Sequence, residues 1–250
     1  NTNQSYEIVN QYGDTVKMWG YGIYKNDSFF KAPIFIGTDM TMLVFTIPFM
    51  IRALIRYRRI EDQKNLLILS GLTAVLLYYS TCLAFGITFN RFHLLYTLFF
   101  SICLLGFIVC MVSLNSAEIK ERQHWNINNK AIVVFLAFSG ISLFVAWLPD
   151  IISALIQNKS LSLIEVYTTE VTYVIDMGII SPWILLTLFF IRQSNSMGHV
   201  FLPILTIIFT IVGLMVSFQS LFQILAEIDI PLLALISKAG IFVLLSVISS

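Results

Sequence analysis

Seven stretches of about twenty or more mostly apolar residues leave this chain few ways to fold. They lie at about 33–55, 66–86, 93–114, 131–156, 171–191, 200–224 and 230–249. A membrane-spanning helix needs about 20 such residues, whereas a barrel strand needs about 10. In hydrocarbon every backbone amide must find its partner inside the protein, which a helix achieves alone. Composition agrees: the chain is 58% hydrophobic and 12% charged, with a mean hydropathy of +0.85, about half the charge of a soluble domain. The expectation is an all-α integral membrane protein with seven transmembrane helices in one domain over 33–250, preceded by an N-terminal segment over 1–32. No internal repeat or low-complexity linker divides it. A chain that opens on Asn1 rather than Met is expected to have been trimmed or processed.

The segment over 1–32 is not apolar enough to span. YEIVN and TVKMWGYGIY flank Gly13-Asp14, which predicts a short β-hairpin. Trp19, Tyr21, Tyr24, Phe29 and Phe30 would hold it at the membrane interface. Cys82, Cys103 and Cys110 fall inside apolar segments without CxxC or Cys/His spacing and read as small buried hydrophobes. No basic patch is interleaved with aromatics, so nothing points to nucleic acid.

Lysine and arginine bias in short loops sets orientation. Arg52, Arg56, Arg58, Arg59, Lys64, Lys120, Arg122, Lys130 and Arg192 fall on one side. Lys17, Lys25, Lys31, Arg91 and Lys159 fall on the other. The nine-residue side is expected to be cytoplasmic, giving an N-out, C-in protein of the plasma membrane. Acidic residues lean outward: the inner side sums to 9 − 4 = +5 and the outer to 5 − 10 = −5. An acidic outer face favours cations or basic ligands.

Asp39, Asp150, Asp176 and Lys238 are the chemically informative residues, because each sits inside an apolar stretch. An ionisable group in hydrocarbon costs several kcal/mol unless it is paired or lines a wet cavity, and it marks a functional site by default. A rise of about 1.5 Å per residue puts all four roughly 8–12 Å below the outer ends of their helices. Tyr173 shares a helical face with Asp176, and Gln219 and Gln223 form a polar line on the sixth helix. Three carboxylates facing one ammonium need a proton, a cation or water to balance them. Hard oxygen ligands would suit Ca²⁺ or Mg²⁺ better than zinc or copper. Lys238 in a seven-span chain also invites a retinal Schiff base, but the sixth helix lacks the aromatic-and-proline pattern of a retinal pocket.

Three stretches, WGYGIYKNDSFFKAPIFIGTDMTML, YYSTCLAFGITFNRFHLLYTLFFS and YVIDMGIISPWILL, resemble a family of uncharacterised multipass integral membrane proteins of bacteria and archaea. Positions matching its pattern are Tyr24, Asp27, Ser28, Asp39, Phe85, Gly86, Asn90 and Asp176. The resemblance adds Asp27 and Asn90 to the candidate binding residues and supplies no activity. Members of that family carry more tyrosines in the second helix, where this chain has Ser80 and Leu83.

The expected function is a ligand-binding or accessory, non-enzymatic membrane protein with an outward-facing acidic pocket, taking a cation or basic small molecule. A small cation- or proton-coupled transporter is the alternative, weakened by the lack of an inverted repeat. An outer-leaflet enzyme is the third, without a GxSxG or HExxH signature to support it.

Overall fold

The computed structural model describes residues 4–122 and 127–228. The seventh expected span, with Lys238, lies outside the described residues. Strands β1 (Tyr6–Val9) and β2 (Thr15–Met18) pair antiparallel, with Tyr6 opposite Met18 and Val9 opposite Thr15. Asn10 Oδ1 accepts from the N–H groups of Tyr12 and Asp14, and Gly13 adopts φ +88°. That left-handed geometry is open to glycine at little steric cost. Val16 and Met18 turn inward and are buried, while Thr15 and Lys17 face out, the alternation a strand imposes.

Among the described residues, six helices are long and apolar enough to cross a membrane. They are α1 (Ala32–Arg59), α2 (Gln63–Phe85), α3 (His93–Ser113), α5 (Lys130–Gln157), α6 (Val171–Arg192) and α7 (Met197–Leu225). The short α4 (Ser116–Arg122) lies between α3 and α5. Their starts follow local chemistry. Asp62 caps α2 by accepting from the Asn65 N–H, and Asn129 caps α5 by accepting from the Ala131 N–H, each satisfying an amide that the helix leaves open.

Contacts between loops sort the connections onto two faces. On the first, Asn10 Nδ2 donates to the Glu165 carbonyl at 2.7 Å and Gln11 Nε2 to the Tyr167 carbonyl at 3.0 Å. The Thr88 N–H donates to Asp27 Oδ1 at 2.8 Å. The N-terminal segment therefore caps the same face as the loops over 86–92 and 158–170. On the opposite face the Asn115 N–H donates to Gln63 Oε1, and Ser116 Oγ meets Ser196 Oγ at 2.9 Å.

Helices α2 and α7 form the centre. Helix α7 touches α1, α2, α4 and α6, while α3 packs on α2 and α5 on α6. The core runs through Val75 of α2, Leu136 and Leu143 of α5, Ile184 of α6, and Ile204, Leu205 and Ile208 of α7. Helices α1 and α7 approach closely at Gly37, where a Cβ would stand 2.7 Å from the Gln219 backbone. Small residues admit this kind of close backbone approach between helices in lipid. One residue later Gln219 Nε2 donates to Thr38 Oγ1 at 2.8 Å.

Among the described residues, two helices depart from regular α geometry. A π-helical turn occupies Met42–Thr46 in α1 and another Asp176–Ile180 in α6. Each is followed within two residues by a proline, Pro48 and Pro182. A proline offers no N–H and its ring crowds the carbonyl four residues back, and a wider turn relieves that crowding.

Candidate functional site

The two π turns lie beside the two carboxylates that sequence singles out on these helices, and α2 supplies a tyrosine to each. Tyr79 Oη donates to Asp39 Oδ1 at 2.6 Å, and the adjacent Tyr78 Oη donates to Asp176 Oδ1 at 3.2 Å. Neighbours on a helix point about 100° apart, so one turn of α2 reaches α1 on one flank and α6 on the other. The second oxygen of each carboxylate is also held. Tyr24, from the cap, donates to Asp39 Oδ2 at 2.7 Å. Trp147 Nε1, from α5, donates to Asp176 Oδ2 at 3.0 Å. Asp176 is only 3% exposed, and Asp39 is half-buried. Neither has a cationic partner among the described residues.

Asp150 joins the same layer through aromatic contacts. Tyr173 Oη donates to Asp150 Oδ2 at 3.0 Å, and the Tyr173 ring stacks on Trp147 with centroids 4.4 Å apart. Trp147 in turn holds Asp176. Asp150, Tyr173, Trp147, Asp176, Tyr78, Tyr79, Asp39 and Tyr24 thus form a continuous polar and aromatic layer from α5 through α6 and α2 to α1 and the cap.

A second cluster lies above it, in the cap. Asp27 is fully buried, with Oδ1 accepting from Tyr167 Oη at 3.0 Å and from the Thr88 N–H. Among the described residues its Oδ2 is buried with no hydrogen-bond partner, as are Thr88 Oγ1 and Asn90 Nδ2. Burial pushes the Asp27 carboxyl up to about 6, against the opposing pull of those hydrogen bonds and of Lys31. Lys31 pairs with Glu170 and lies 4.2 Å over the Tyr167 ring. Ser28 donates to Glu165, whose carboxyl is also raised by burial.

The remaining candidate residues tie elements together. Gln219 holds Thr38, and Gln223 Nε2 donates to the Phe30 carbonyl at 3.2 Å. Asn90 Oδ1 accepts from the Phe92 N–H and shapes the entry to α3. Among the described residues, no group of three or more His, Cys, Asp or Glu side chains gathers as a metal site.

A cleft of about 1010 Å³ opens between the hairpin, the end of α5 and the loop beyond it. Asp14, Asp150, Glu165 and Glu227 line it alongside Lys17 and Lys159, four carboxylates against two ammonium groups. Asp150 belongs both to this cleft and to the buried layer.

Tyr24 stood among the positions of the family resemblance. Tyr78, Tyr79, Trp147 and Tyr167 did not stand among the candidate residues, although a signal existed. Tyr79 lies six residues from the end of α2 at Phe85, about 9 Å, the depth already assigned to the aspartates.

The described residues thus form six membrane-length helices with a tyrosine–carboxylate layer beneath a folded N-terminal cap. Comparison with protein-family models, with curated proteins and with solved structures gives no match.

Proposed function

We propose that the chain is a non-enzymatic ligand-binding or accessory protein of the plasma membrane, oriented with its capped face outward. It takes a cation or basic group in the cleft between the hairpin and α5. The observation that carries this reading is the position of Asp150, which lines an acidic cleft and is hydrogen-bonded into the layer beneath. A cationic guest near Asp150 would change the field on Tyr173 and, through the Trp147 stack, on Asp176. The cap, held to Asp39 by Tyr24, would then sense the state of the bundle. The resemblance to multipass proteins of bacteria and archaea fits this reading and adds no substrate.

Binding to the folded state alone stabilises it, by about 2.7 kcal/mol at a ligand concentration a hundredfold over Kd, and so raises the melting temperature. The protein in detergent should be stabilised by Ca²⁺, Mg²⁺ or a polyamine, and not by phosphate, sulfate or small carboxylates. Asp150→Asn should weaken the response. Stabilisation by anions alone would overturn the assignment.

A small cation- or proton-coupled transporter is the second reading. It is favoured by the placement of Asp39 and Asp176 beside π turns, where the helix is already irregular. A proton flux in liposomes that vanishes in Asp176→Asn would select it.

A further inference from the structure

The face away from the cap carries nine lysines and arginines, and the protein's own contacts use few of them. Lys120 Nζ donates to the Ser194 carbonyl, and Arg122 pairs with Glu118 at 2.9 Å. Arg52, Arg56, Arg58 and Arg59, in the last two turns of α1, are all exposed. They make no ion pair among the described residues.

Packing fixes how these turns are presented. Ala53 is buried against Leu69 and Leu72 of α2, with Met50 and Tyr57 joining the same contact. Arg52, Arg56 and Arg59 stand at i, i+4 and i+7, one stripe on a helix, turned away from that contact. Flanking the stripe on the helix surface, Phe49 and Ile55 are exposed. Length sets their depth. Helix α1 has 28 residues, about 42 Å, some 12 Å more than a bilayer's hydrocarbon core of roughly 30 Å. Its first turns, beginning APIF, are apolar, so the charged end is the one suited to the headgroup region.

We propose that the Arg52–Arg56–Arg59 stripe binds the phosphate of an anionic phospholipid, with an acyl chain lying along Phe49 and Ile55. Guanidinium groups present paired N–H donors that match phosphate oxygens. Clustered basic residues just outside a span are attracted to anionic headgroups. The nearest acids do not neutralise the stripe: Asp62 is engaged as the cap of α2, and Glu61 is exposed. Free phosphate would share the polar contact but leave the apolar flank unused. This site is on the opposite face from the acidic cleft and stands independently of it.

The test compares thermal unfolding in phosphatidylcholine nanodiscs with and without phosphatidylglycerol. Phosphatidylglycerol should raise the melting temperature by about 2–4 °C. Native mass spectrometry should show it retained over phosphatidylcholine on the order of tenfold. The triple variant Arg52→Gln, Arg56→Gln, Arg59→Gln should lose most of both effects. Should that variant fail to insert, Arg56→Gln and the wild type at raised salt decide, each with a reduced preference. Equal retention of the two lipids, or an unchanged preference in the variants and in salt, would overturn the proposal. So would inorganic phosphate in phosphatidylcholine nanodiscs reproducing the full shift, because the ligand would then be the free anion.

Discussion

Asp39 is held on both oxygens by tyrosines from different parts of the chain, Tyr79 of α2 and Tyr24 of the cap. Losing one donor leaves the other in place, so Tyr79→Phe should cost about 0.5–2 kcal/mol, the range of side-chain hydrogen bonds within bilayers. The double variant Tyr24→Phe, Tyr79→Phe strips the carboxylate of both donors and should cost more than the sum of the singles. Chemical denaturation in detergent reads both, and strict additivity would argue against a shared carboxylate. Asp27 gives a pH signature. Its carboxyl is raised from the ordinary range to about 6, so the folded cap binds a proton more readily than the unfolded chain does. Stability from this group is complete below the unfolded value near 4 and is lost as pH rises through about 6. Glu165, also raised by burial, acts in the same direction. Proteolysis of the N-terminal segment should therefore be slower at pH 5 than at pH 7.5, and Asp27→Asn should flatten the difference. The aspartates were legible from sequence because a charge within an apolar run stands out. Their partners were hidden because tyrosine and tryptophan count as apolar in such a run, and only a side-by-side reading of depth links Tyr79 to Asp39.

Helix α1 illustrates how much of an element its sequence declares. The apolar run predicts 33–55, and the helix extends over Ala32–Arg59, because hydropathy ends at Arg56 while a good helix former such as arginine does not stop the backbone. Helices α2, α3, α5, α6 and α7 likewise start and stop within three residues of their apolar runs. The π turns were not legible. They depend on how Pro48 and Pro182 fit into helices whose neighbours hold them straight enough to continue, and periodicity does not encode that. The contact at Gly37 was also invisible, since a lone glycine in a span has no declared partner. With a Cβ there only 2.7 Å from the Gln219 backbone, Gly37→Leu should push α1 from α7 and break the Thr38–Gln219 hydrogen bond. A loss of about 1–3 kcal/mol is expected, measured by thermal unfolding in detergent. An unchanged melting temperature would mean that the two helices separate freely at this level.

For the whole molecule, sidedness is the property most open to direct test. The described loops divide into two faces, and the proposal that the capped face lies outside rests on the nine-to-five split of lysine and arginine. Single cysteines at the exposed positions Thr15 and Asn128 should differ, with an impermeant thiol reagent labelling intact cells only at Thr15. Labelling only at Asn128 would invert the orientation and move the acidic cleft to the cytoplasm. The bundle itself was largely legible, since six of the seven expected spans coincide with membrane-length helices. The assembly of its polar layer was not, because each link joins residues from different helices.

Asn10 and Gln11 clasp backbone groups 155 and 156 positions further along the chain, and Lys31 waits for Glu170. The hairpin is thus made well before it can find its place, since four membrane-length helices separate it from its counterpart over 158–170. During synthesis the hairpin is a loose end, and its closure records that the chain has been made as far as the loop beyond α5.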